Sequence, residues 1–250
     1  MKLNAKIIAL FMGLFLFSCS PDTIDQNMET TTVSDSSLSK KSNNGKTATP
    51  IVWNFNDLTG WEDATQVGLT NYWIEDGNLT IFTNANTWER TKIKTISTYT
   101  TGTYTWRIFI PEMGVGDMAS LGAFLYNNDT HEIDFEVGYG KQTIREQLNA
   151  EADDLIVYMT SQGNPFQSFN TKIKRGQWHT LSIQLTLNSS RKYQVNWNIN
   201  GELAAATQLN YGAKSKFKIF CSLENLTFIG DHIPFTQNQA LFDSVEYNSK

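Results

Sequence analysis

The chain has 250 residues, 40% of them hydrophobic and 18% charged, with 25 acidic against 20 basic side chains and a formal net charge of −5. A negative chain with scattered lysines and arginines repels phosphate backbones, which excludes nucleic acid as a partner class. No GxGxxG, GxxxxGK, CxxC, HExxH or GxSxG pattern occurs, so no nucleotide, zinc-protease or serine-hydrolase fingerprint is present.

Met1, Lys2 and Lys6 open the chain and an apolar run follows from Ile7 to Phe17. The run is too short to span a bilayer as a mature helix and has the length of a secretory signal core. It ends in Leu16-Phe17-Ser18-Cys19, which resembles the lipobox of bacterial lipoproteins. That resemblance implies a signal peptide over residues 1–18, cleavage before Cys19 and lipid on its sulfur. Ser20, where an aspartate would retain the protein, resembles an outer-membrane address, at the cell surface or on the periplasmic face. Membrane contact would then be through the lipid alone. Removal of Lys2 and Lys6 leaves the mature chain more acidic still. With Cys19 lipidated, Cys221 has no disulfide partner and reads as a small core hydrophobe within Phe217-Lys218-Ile219-Phe220-Cys221. The rest of the stretch 19–50 is rich in Ser, Thr, Asn, Asp and Lys, and offers too little apolar surface to offset ordering entropy. It reads as a disordered tether.

Residues 51–250 suffice for one domain with a full core, and their pattern is β throughout. Asn78-Leu79-Thr80-Ile81-Phe82 alternates after the turn-like Asp76-Gly77. Tyr104 to Ile110 alternates and stops at Pro111. Thr143 to Leu155 is read as a short helix or a strand. Leu181 to Leu187 alternates, and Tyr193 to Ile199 runs into Asn200-Gly201, the strongest short hairpin signal. Ala240 to Tyr247 alternates again and closes a sheet. Many short strands joined by turns predict a sandwich or barrel.

Within this series stands His131-Glu132-Ile133-Asp134-Phe135-Glu136. On a strand, period-two geometry points Glu132, Asp134 and Glu136 out of one face and Ile133 and Phe135 into the other. Three like charges in a row raise the cost of ionising one another. The chemistry that uses such a stripe is glycoside hydrolysis, in which one carboxylate attacks or orients while another donates a proton. An acidic solvent-facing edge and a calcium ligand set are the alternative readings.

Glu132-Ile133-Asp134-Phe135-Glu136 resembles the E-x-D-x-E fingerprint of glycoside hydrolase family 16, the laminarinase, lichenase, agarase and carrageenase group. Other segments resemble that family's strands in order: Thr101 to Pro111, Leu121 to Tyr126, Gly176 to Leu181, Asn198 to Gly201 and Leu241 to Tyr247. The resemblance implies an all-β jelly-roll sandwich of the concanavalin A-like lectin and glucanase type, with a concave cleft for a polysaccharide chain. It implies Glu132 as nucleophile, Glu136 as acid/base and Asp134 as the residue that tunes the nucleophile. No cofactor is required; a structural calcium is found in many members, with Asp243 as its candidate ligand here. A monomer is expected. The family commonly has tryptophan where Leu125 stands and proline where Gly122 stands, and the aromatic lines or supports the sugar cleft. Retaining chemistry needs carboxyls about 5–5.5 Å apart, whereas Glu132 and Glu136 lie roughly 13 Å apart by Cα on an extended strand. Their side chains must therefore lean together over a curved sheet.

Sugar rings need flat apolar faces. Trp106, Tyr126 and Trp178 are the platform candidates carried forward, with His179 as a substrate contact; Trp61, Trp73, Trp88, Tyr139 and Trp197 are divided between core and cleft. His131 is read as structural and Arg107 as an electrostatic partner. Two functions follow: a retaining endo-glycosidase on a β-linked glucan or galactan at the cell surface, and a non-catalytic glycan-binding lipoprotein of the same fold.

Overall fold

A computed structural model describes residues 49–249. The expected signal peptide, the Cys19 lipidation and nearly all of the tether lie outside the described residues. In chain order the strands are β1 (Ile51–Trp53), β2 (Trp61–Asp63), β3 (Tyr72–Glu75), β4 (Asn78–Thr83), β5 (Arg90–Thr95), β6 (Gly102–Phe109), β7 (Ala119–Asn128) and β8 (His131–Gly138). The helix α1 (Gln142–Gln147) follows. Then come β9 (Asp154–Ser161), β10 (Gln167–Lys174), β11 (Trp178–Leu187), β12 (Tyr193–Ile199), β13 (Glu202–Gln208), β14 (Lys218–Asn225) and β15 (Asn238–Ser249). The ambiguous stretch from Thr143 to Leu155 thus divides between α1 and the start of β9.

The hairpins form where the chain supplies residues tolerant of positive φ. Asp76 and Gly77 sit at φ 49° and 73°, and Asn200 and Gly201 at 52° and 88°. These values match the mirror-image turns whose twist suits antiparallel strands. Two antiparallel sheets result. One runs β13-β12-β11-β6-β15-β4-β3 with β1 added alongside β15; the other runs β10-β9-β8-β7-β14-β5-β2. The molecule is a jelly-roll sandwich: the alternating pattern predicts a sandwich or barrel, and the family resemblance implies the jelly roll.

Alternation decides which side chains fill the space between the sheets. Ile133, Phe135 and Val137 of β8 and Leu121, Ala123 and Leu125 of β7 meet Tyr104, Trp106 and Ile108 of β6 and Leu181 and Ile183 of β11, all fully buried. Cys221 is buried in the same core. Two indoles tie the layers by hydrogen bonds as well as by area. Trp106 donates Nε1–H to the carbonyl of Phe220 at 3.0 Å, and Trp197 donates to the carbonyl of Asp134 at 3.0 Å. With β8 pinned from below, its odd-numbered residues face the core and its even-numbered residues face outward.

Candidate active site

The register of the second sheet arranges its outer face in rows across the strands. Glu132 lies opposite Tyr126, which lies opposite Lys218; Asp134 opposite Phe124, then Phe220 and Lys94. Glu136 lies opposite Gly122, then Ser222 and Lys92, while the next row holds Gly138, Ser120, Glu224 and Arg90. An acidic strand and a basic strand, β8 and β5, are thus separated by two strands whose side chains are mostly aromatic or small. A cleft of about 500 Å³ opens over this face, lined by Glu132, Asp129, Tyr126, Phe124, Phe220 and the β5 cations, with residues 63–66 at its margin.

The three carboxyls differ in surroundings. Glu132 borders the cleft, whereas Asp134 and Glu136 are only 1% and 8% exposed. Burial pushes the Glu136 carboxyl up to about 8; the negative charge of Glu224 adds to this, and a hydrogen bond from Ser120 Oγ to Glu136 Oε2 at 2.5 Å opposes it. Burial also pushes Glu132 up to about 7, again reinforced by Glu224 and opposed by Lys92. Asp134 is raised most firmly, by complete burial and then by the flanking Glu132 and Glu136. Its Oδ2 accepts from Gln162 Nε2 at 2.8 Å. Asp134 Oδ1 is buried and has no hydrogen-bond partner. Near neutral pH the arrangement holds a protonated Glu136 and an ionisable Glu132 at the cleft, with burial opposing the ionisation of Asp134 between them.

Glu224 is 2% exposed, and Arg90 Nε and Lys92 Nζ reach its Oε2 at 2.7 and 2.8 Å. Sequence reasoning missed this ion cluster. The alternation Arg90-Thr91-Lys92-Ile93-Lys94 marks a strand with a basic face, but nothing local says that this face adjoins the carboxylates. Gly122 was noted only as a departure from the family pattern. A Cβ there would lie 2.3 Å from Ser222 Oγ and 3.1 Å from Glu136 Oε1, so the absence of a side chain leaves the room that Glu136 occupies. Leu125 faces the core, fully buried opposite Ile133. The aromatic on the site face is its neighbour Phe124, stacked on Phe220 at 4.6 Å and 14°.

Of the expected platforms, the structure places Tyr126 at the cleft, beside Glu132 and edge-on to Phe220. Trp106, Trp178 and His179 are corrected. Their strands, β6 and β11, belong to the other sheet, whose inner face is core. Trp106 is fully buried. His179 is turned inward, with Nε2 on the carbonyl of Lys174 at 2.7 Å and Nδ1 beside the Asn200 amide at 3.1 Å. Trp178 lies on the outer face of that sheet, away from the carboxylates, under the guanidinium of Arg107. Trp61 and Trp197 are core residues. His131 packs on Tyr211 at a ring distance of 4.0 Å. Asp243 pairs with Arg107 at 3.4 Å, and among the described residues no group of three or more His, Cys, Asp or Glu side chains is placed to hold a metal ion.

Beyond Glu136 the outer face is roofed. Ile156, Tyr158 and Ile229 form a small apolar cluster with Ile144 and Leu148 near α1, and Phe228 stands edge-on to Tyr158.

With this geometry in place, solved structures identify the architecture. A β-glucanase of Bacillus licheniformis aligns over 82% of this chain and 100% of its own, with 16% identity and a TM-score of 0.58. The fold is that of the β-glucanase jelly roll. The Crh5 transglycosylase, in complex with NAG, aligns over 81% of this chain and 85% of its own at 14% identity and a TM-score of 0.61. A prokaryotic β-1,3-1,4-glucanase (lichenase) derived from a mouse hindgut metagenome aligns over 81% of this chain and 100% of its own, with 16% identity and a TM-score of 0.59. No family model and no curated protein matches the sequence.

Proposed function

We propose that the chain is a glycosidase acting on a β-linked polysaccharide, with Glu132 as nucleophile, Glu136 as acid/base and Asp134 as the residue that holds Glu132 ready. The observation that carries this reading is the division of protons along β8. A retaining mechanism needs one carboxylate ionised to attack the anomeric carbon and one carboxylic acid to protonate the leaving oxygen. Glu136, held up at about 8, is the acid at neutral pH. Glu132 borders the cleft and, at about 7 with the positive charge of Lys92 opposing its rise, ionises before Glu136. After attack, Glu136 as its conjugate base takes a proton from water or from a sugar acceptor, which releases the glycosyl group. The neighbours' names, β-glucanases and a transglycosylase among them, support a β-glucan as the first substrate to try. No metal enters any step. In this reading the protein is a monomer anchored by lipid on Cys19 at the outer membrane, on its surface or periplasmic face.

A second reading, glycan binding without turnover, is favoured by the burial of Glu136 under the roof formed near α1. Reducing-end release by the purified protein on laminarin, lichenan, agar, carrageenan and porphyran separates the two. Release on one of them establishes the glycosidase and names its substrate. Retardation in a gel containing one of them, with no release from any, establishes the binding protein.

A further inference from the structure

The outer face of the eight-stranded sheet lies on the opposite side of the sandwich from the carboxylates. Most of its side chains are hydroxyls and amides, among them Thr105, Ser182, Gln184 and Asn196. One row differs. Register sets Trp73 opposite Thr80, Thr80 opposite Leu241, Leu241 opposite Phe109 and Phe109 opposite Trp178. The row therefore crosses five adjacent strands, β3, β4, β15, β6 and β11, a span of about 19 Å at the usual strand spacing. Its two ends are the exposed ones, Trp73 at 39% and Trp178 at 36%. Phe82 packs on Trp73 at 5.4 Å and Phe109 on Trp178 at 5.4 Å, which holds each indole in place.

A single exposed tryptophan means little, but two indoles at the ends of one row, each backed by a phenylalanine and with Leu241 between them, on an otherwise polar sheet mark a contact surface. Its charge selects the occupant. Arg107 and Asp243, beside the row, neutralise one another at 3.4 Å, and Arg107 covers one side of the Trp178 ring at 4.9 Å. Near the other end Glu75 adds one carboxylate. An anionic lipid surface or a strongly charged protein finds no complementary field here. A neutral polyhydroxylated chain does: the C–H faces of its rings lie on the indoles, and its hydroxyls meet Gln239, Thr105 and the guanidinium. We propose that the row from Trp73 to Trp178 is a second glycan-binding surface, for a neutral polysaccharide strand lying across the sheet. It goes beyond the cleft and does not require turnover there.

The test is affinity electrophoresis of the purified protein in gels containing laminarin or lichenan, both neutral glucans. Three variants run beside it: Trp73→Ala/Trp178→Ala, Trp73→Phe/Trp178→Phe, and the cleft variant Tyr126→Ala. The alanine pair is expected to weaken retention about tenfold, from the loss of two aromatic contacts, with its thermal transition unchanged. The phenylalanine pair is expected to restore most of it. Equal retention of the alanine pair and the parent overturns the proposal. So does a parent that no neutral glucan retards, or a parent dimer that the alanine pair converts to monomer in sedimentation. Absence of reducing-end release, together with retention lost only in the alanine pair, defeats the glycosidase reading and leaves this surface standing.

Discussion

Glu136 carries the least ordinary protonation along β8. In the unfolded chain it titrates near 4.5 and in the folded protein near 8. Because the folded value is raised, its contribution to stability is fully present below about 4.5 and is lost as pH rises through about 8. Glu136→Gln removes that dependence. The melting temperature of the variant, relative to the parent, is predicted to rise steadily between pH 5 and pH 9; a constant difference contradicts the burial argument. In activity the same proton is the general acid, so the alkaline limb of the rate profile should fall through about 8. Gly122 sets the room that Glu136 needs. Gly122→Val forces a branched side chain against Ser222 and Glu136 and is predicted to destabilise the fold by about 1–3 kcal/mol, read as a lowered denaturant midpoint.

At the scale of elements, β8 depends on what lies beneath it and beside it. Beneath, the Trp197 indole from β12 holds the Asp134 carbonyl. Trp197→Phe keeps an aromatic ring but removes that buried hydrogen bond, at a cost of about 0.5–1.5 kcal/mol, measurable by urea unfolding; no change in midpoint would mean that the hydrogen bond is dispensable. Beside it, Glu224 on β14 raises both glutamates while it is itself held by Arg90 and Lys92 from β5. Glu224→Gln removes the charge that raises them and frees Lys92, whose charge lowers them, and both changes act in one direction. The alkaline limb should move down by about one pH unit. A shift upward, or none, would show that Glu224 does not act on the site.

Across the whole molecule, what the sequence reveals follows the range of the interaction that decides it. The parity of Glu132, Asp134 and Glu136 is a property of one strand and needs nothing else. The hairpins at Asp76-Gly77 and Asn200-Gly201 are local, and the closing strand at Ala240 to Tyr247 follows from its own alternation. Trp106, Trp178 and His179 mislead because alternation separates the two faces of a strand but does not say which sheet the strand joins. With β6 and β11 in the sheet opposite the cleft, neither face of either strand can reach it. The same non-locality hides Glu224 and Lys92: β14 lies roughly 130, 100 and 90 residues after β5, β7 and β8 in the chain, yet shares the site face with them. Leu125 and Phe124 differ by one position, which on a strand is the difference between core and cleft.

If Glu132 attacks the anomeric carbon, a covalent glycosyl ester forms on its carboxylate. The most direct measurement is the mass of the peptide spanning residues 131–138 after exposure to a 2-deoxy-2-fluoro glycosyl fluoride of the sugar that the protein cleaves, which slows breakdown of a covalent intermediate. With Glu132 as nucleophile, one glycosyl increment is expected on that peptide, localised to Glu132 and absent from Glu132→Gln. A cleaving protein that carries the increment on another residue, or forms none while it releases inverted product, would contradict it.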